Sequence, residues 1–181
     1  MKVSYSARGT LLFSFLALLG FICLIIVPSF SSNLFKLNGV ANLTSFSWYL
    51  STVGYIFGHT NVQHLIGNMS FILLLGPLIE LKFGARRMLL MILITAILTG
   101  LLHTILWDSR LIGASGIVFM FIVLSSLLNL RQGEISLTFI LIVLIFLGRE
   151  IYNVSLDDNV SQFTHLFGGV MGVFFGFYKN N

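Results

Sequence analysis

Of the 181 residues, 57% are hydrophobic and only 9% are charged, ten Lys and Arg against six Asp and Glu. A folded surface facing water needs nearer one quarter charged residues, so the composition excludes a soluble enzyme, a disordered chain and a nucleic-acid binder, whose basic residues would also be clustered. The chain reads as an integral membrane protein with one cysteine, Cys23, and hence no internal disulfide.

Charged residues are so sparse that the gaps between them outline the spans. Residues 9–35, 88–107, 111–130 and 159–178 carry none, and each gap is near the roughly 20 residues a membrane helix needs. The first span, about 10–28, follows Lys2 and Arg8 and is long for a signal peptide, with no A-x-A-like site after Pro28. A charge-free stretch over 37–79 divides by composition. Its first half is rich in Asn, Ser, Thr and Gly, so the second helix is predicted at about 62–81. The connection before it, about 29–61, mixes Phe46, Trp48, Tyr49, Tyr55 and Phe57 with small polar residues. It reads equally as a segment in the outer membrane interface or as an ordinary ordered loop. The third, fourth, fifth and sixth helices are predicted at about 87–106, 115–130, 134–152 and 160–178. The fifth reaches spanning length only if Arg149 snorkels outward. Lipid does not satisfy open backbone groups, and no period-2 alternation suggests a barrel, so the fold class is all-α: a single polytopic membrane domain over 1–181. With the N-terminus inside, the inner segments hold Lys2, Arg8, Lys82, Arg86, Arg87, Arg131 and Lys179 and the outer ones Lys36, Arg110 and Arg149. That bias predicts both termini on the cytoplasmic side.

Polar side chains within spans are costly and point to function. His64 and Asn68 lie one turn apart on the second helix, Ser115 opens the fourth, and His165 is near the start of the sixth. All three helices run inward in the predicted topology, so the four residues share one depth in the outer half of the membrane. His103 lies on the third helix. Ser115, within Gly113-Ala114-Ser115-Gly116, suits either a helix N-cap or a nucleophile in a tight turn. His165 precedes Gly168, Gly172 and Gly176, a stripe on one helical face that lets two membrane helices meet backbone to backbone. The fourth helix, with small residues at 113–116, is its natural partner. A serine hydroxyl needs a base to take its proton, and imidazole is the usual one. Asp157 and Asp158 lie several residues before His165 in the last outer connection, so a Ser–His dyad is predicted, without a carboxylate. His64 and Asn68 are equally suited to interhelical hydrogen bonds and to stabilising an oxyanion.

These elements resemble the bacterial rhomboid intramembrane serine proteases of the compact six-helix, GlpG-like kind. The matching runs are Gly113-Ala114-Ser115-Gly116, His165-Leu166-Phe167-Gly168-Gly169 and His64-Leu65-Ile66-Gly67-Asn68. His59 is similar to a histidine just upstream of that family's second helix, and Glu80 with Gly84 resembles its E-x-x-x-G element. The resemblance covers essentially the whole chain. It implies Ser115 as nucleophile, His165 as general base, and His64, Asn68 and the Ser115 backbone N–H around the oxyanion. Gly113, Gly116, Phe119, Gly168, Gly169 and His59 would support them beside a water-filled cavity opening outward. It also implies hydrolysis of the transmembrane helix of a single-span membrane protein near the outer face of a bacterial inner membrane, with the lipid bilayer as the other partner. Neither cofactor nor metal is expected: the four histidines lack ligand spacing such as H-E-x-x-H. Two positions depart from the family pattern. Trp48-Tyr49 stands where many members have Trp-Arg, and Phe119 stands where many have tyrosine one turn after the serine. Two other readings are a non-catalytic rhomboid-like protein that binds membrane helices, and a proton-linked transporter; the latter lacks mid-membrane carboxylates and an inverted repeat.

Overall fold

A computed structural model describes residues 7–130 and 159–178, together with positions 137, 140, 141 and 144. The predicted fifth span, 134–152, otherwise lies outside the described residues, as do Asp157 and Asp158. Helix α1 spans Arg8–Ile26, α2 Pro28–Phe35 and α3 Phe46–Gly54, followed by a 3-10 turn at Tyr55–Phe57. Helix α4 spans Val62–Phe83, α5 Ala85–Leu106, α6 Ser115–Leu130 and α7 Asn159–Tyr178. Among the described residues, α1, α4 and α5 are long and apolar enough to cross a membrane, and α6 is a shorter apolar helix.

The first span ends at Ile26. Pro28 then opens α2, where the missing N–H of a first-turn proline costs nothing and its fixed φ suits the helix. The connection before α4 is consequently more structured than its composition suggests. Trp48, Tyr55, Ile56 and His59 are buried, while Phe46 and Tyr49 remain exposed. The Tyr55 hydroxyl donates to the Ala96 carbonyl on α5 at 3.2 Å. Leu37 and Leu111 exchange two backbone hydrogen bonds of 3.0 and 2.8 Å, tying this connection to the segment that leads into α6.

Helix α6 is apolar on every side, and such a helix belongs at the centre of a bundle. Ile117, Val118, Met120, Phe121, Ile122 and Leu124 are all buried. Around it lie α4, α5 and α7, while Leu11, Leu18, Leu74, Leu98 and Phe174 face outward where lipid is the solvent. Lipid is as apolar as leucine, so close packing and hydrogen bonds, not hydrophobic burial, hold the helices together.

One hydrogen-bonded clamp sets α1 against α4. Ala7 precedes α1 and offers no side-chain cap. The Glu80 carboxylate supplies one from 70 residues away, accepting the Gly9 N–H, the Thr10 N–H and the Thr10 hydroxyl, each at 2.9 Å. A carboxylate at a helix N-terminus satisfies orphan donors and meets the positive end of the helix dipole.

Candidate active site

Three helices bring the predicted residues to one place. Asn61 caps α4, its side-chain oxygen accepting the His64 N–H at 2.8 Å. The Thr60 hydroxyl meets His64 Nδ1 at 3.2 Å. This fixes the imidazole so that its Nε2 and Cε1 edge lies over Gly113. A Cβ at position 113 would stand 2.7 Å from both atoms. Gly113 also has φ of 122°, a conformation L side chains rarely adopt. Its N–H donates to the Tyr55 carbonyl at 2.9 Å, so the 3-10 turn supports the approach to α6 from behind.

The chain enters α6 two residues later. The Val118 N–H bonds to the Ala114 carbonyl at 3.0 Å. Ala114 therefore holds the N-cap position, and Ser115 is the first helical residue, not the cap. Its side chain is half-buried. The first N–H groups of a helix lack intrahelical acceptors, so α6 presents donors here, at the positive end of its dipole. The described part of α6 has 16 residues, about 24 Å at 1.5 Å per residue.

Helix α7 approaches α6 along the glycine stripe. A Cβ on Gly168 would stand 2.8 Å from the Gly116 carbonyl carbon and 3.0 Å from its Cα, and closer still to the carbonyl oxygen. Gly172 likewise meets the Met120 carbonyl oxygen, whereas Gly176 meets the Leu127 side chain. Gly169 does not share the seam, since its nearest neighbour would be Val123 at an ordinary 3.7 Å. Thr164 packs directly on Gly116. The seam presents His165, buried, with its ring parallel to that of Phe119 at a centroid separation of 4.4 Å and an angle of 11°. Phe119 is one turn below Ser115, so the stack puts the imidazole against the serine-bearing face of α6. Ser115 Oγ hydrogen-bonds to no described residue.

The second pair of predicted residues divides by depth. Asn68, one turn along α4 from His64, is buried, and its Nδ2 has no hydrogen-bond partner among the described residues. A buried amide donor without an acceptor needs a ligand or water to complete it. His59 is 2% exposed and stands edge to face with His64 at 5.0 Å. Burial, and then the neighbouring His64, push its pKa down to about 4. His103 is turned elsewhere: its Nε2 meets the Ser109 carbonyl at 2.8 Å, and its ring stacks on Trp107. Trp107 in turn packs on Phe163 at 4.5 Å, joining the α5–α6 loop to the start of α7 two residues before His165. This aromatic strut and the Tyr55 support were not anticipated from the sequence. Tyr55 is signalled only by the flanking Gly54 and Gly58.

Residues 45–180 match the family model of the Rhomboid domain. The chain belongs to the rhomboid family. It is also similar to Rhomboid-related protein 1 of Caenorhabditis elegans, 33% identical over 135 residues, which is 68% of this chain and 38% of that protein. This rhomboid thus spans about two fifths of the relative's length. As a rhomboid it is a helical membrane bundle and an integral membrane protein, and the matched region contains the glycine seam and all three site helices.

Proposed function

We propose that this rhomboid is an intramembrane serine endopeptidase acting through a Ser115–His165 dyad, within one domain spanning residues 1–181. The observation that carries the reading is the stacking of the His165 ring on Phe119, across a glycine-to-glycine seam and one turn from Ser115. Family membership supports the same reaction class.

In this reading His165 takes the Ser115 proton as the serine oxygen attacks a scissile carbonyl carbon. The resulting oxyanion is met by the Asn68 amide, the His64 imidazole and the Ser115 N–H at the positive end of α6. Collapse of the adduct expels the amine, which takes the proton back from the imidazolium. Water then attacks the acyl–serine ester with His165 again as base, returning Ser115 and a free carboxylate. The substrate is a membrane-spanning segment that unwinds locally, because an intact helix occupies its own carbonyls. The cut falls near the outer face, in a bacterial inner membrane with both termini inside.

A second reading, a non-catalytic protein that binds membrane helices, draws on Ser115 Oγ having no hydrogen bond to a described residue. One experiment separates the two. A fluorophosphonate should label Ser115 of the detergent-solubilised protein, identified by mass spectrometry, with labelling strongly reduced in His165→Ala. Cleavage of a single-span substrate should vanish in Ser115→Ala. Equal labelling of both proteins, or cleavage by the alanine variant, overturns the dyad; absence of labelling and cleavage in the wild type leaves the binding reading.

A further inference from the structure

A second feature lies away from the α6–α7 seam, and neither the dyad nor the family assignment uses it. Between α1 and α5 runs a groove of about 140 Å³. Phe13 and Ile92 in its lining are buried, and Val53, Ile56 and Phe57, from the end of α3 and the 3-10 turn, form a third wall. Leu12 and Leu93 stand exposed at its mouth, so it opens onto the lipid-facing surface. Water occupies a cavity only where two to four polar groups hold it, and every lining side chain here is apolar. The volume is close to that of cavities that take one benzene ring, room for about six carbons of hydrocarbon.

The rim identifies the kind of hydrocarbon. On α1, Arg8 precedes Leu12 and Leu16 at successive intervals of four. On α5, Arg86 precedes Leu89 and Leu93 at intervals of three and four. Both arginines therefore head the two helical stripes that line the groove. The beginnings of the two helices are also in contact, since a Cβ on Gly9 would meet Ala85 at 3.4 Å and Met88 at 2.9 Å. Arg8 and Arg86 are exposed. They mark the end of the molecule where a headgroup would sit, some 6 Å (four residues of helix) above Leu12. Guanidinium groups bind phosphate oxygens with matched, forked geometry.

We propose that the α1–α5 groove holds one acyl chain of an anionic phospholipid whose phosphate is bound by Arg8 and Arg86. The test uses native mass spectrometry of the full chain in detergent with added dioleoylphosphatidylglycerol or dioleoylphosphatidylcholine. The anionic lipid should be retained preferentially. Arg8→Gln and Arg86→Gln should each weaken its retention about fivefold, the factor one basic residue contributes at an anionic surface, and the double variant about 25-fold. Both arginines are exposed, so the folded bundle survives these changes. A phosphatidylglycerol with a diazirine midway along one chain should label the peptides carrying Leu12–Leu16 and Leu89–Leu93. Equal retention of the two lipids, retention unchanged in the double variant, or labelling spread evenly over the outward faces of α4 and α1 overturns the proposal. None of these readouts involves proteolysis, so the result stands apart from that of the dyad.

Discussion

Replacing Gly168 with alanine is the sharpest test of the α6–α7 seam. The new methyl carbon would stand 2.8 Å from the Gly116 carbonyl carbon and 3.0 Å from its Cα, where ordinary carbon contacts begin near 3.5 Å. The obstacle is backbone, so no rotamer relieves it and the helices must part by on the order of 1 Å. Overpacking of this kind typically costs about 1–3 kcal/mol, and a 1 Å displacement of reacting groups costs roughly 100-fold in rate. Gly168→Ala should therefore lose about two orders of magnitude in cleavage of a single-span substrate and unfold at a lower temperature. Gly169→Ala is the matched control. Its Cβ would rest 3.7 Å from Val123, and alanine is favoured over glycine in a helix by about 1 kcal/mol, so this variant should retain activity and be as stable as the wild type or more so. The assay is the rate of substrate cleavage in liposomes alongside thermal unfolding in detergent. Equal rates for the two alanine variants would refute the reasoning.

Phe119→Ala should reduce cleavage about tenfold, because an aromatic stack contributes roughly 0.5–1.5 kcal/mol and here it orients His165, whereas Phe119→Tyr should keep the ring and the rate. Unchanged rates for Phe119→Ala would remove the stack from the mechanism. Glu80→Ala strips three hydrogen bonds from the start of α1 and should cost about 2–4 kcal/mol in unfolding free energy; an unaltered melting temperature would contradict the clamp. His59 stays neutral in the native protein down to about pH 4, whereas the unfolded chain takes up its proton near pH 6.5. Between those values the unfolded state binds more protons, so stability falls as pH falls, by about 3 kcal/mol in all. Comparing urea or denaturing-detergent titrations of wild type and His59→Leu across pH 7 to 4 should show a shallower decline in the variant, and parallel curves would exclude the contribution.

Charge gaps made most of the fold legible. The predicted start of α6 at Ser115 and the 62–81 and 87–106 spans fall within a few residues of the observed helices, because ionisable groups rarely enter hydrocarbon. The first span, expected at about 10–28, is Arg8–Ile26, but the separate helix α2 that opens at Pro28 was not anticipated. The glycine seam was also legible, since period 3.6 places Gly168, Gly172 and Gly176 on one face. The same periodicity does not separate Gly168 from Gly169, and only the position of Gly116 does that. Long-range partners were the illegible part. Nothing near Glu80 announces that it caps a helix beginning at Arg8, and nothing near Trp107 announces Phe163. Each pairing depends on where distant helices come to lie, not on local pattern.

The separation of the site along the chain bears on biogenesis. Residues 115 and 165 are fifty positions apart, which at ribosomal speeds of 5–20 residues per second means a delay of about 3–10 s between their synthesis. Throughout that interval the bare backbone at Gly116 lacks its Gly168 partner, and the Phe119 ring has no imidazole above it. The α6–α7 seam thus forms only after the last helix of the bundle has been made.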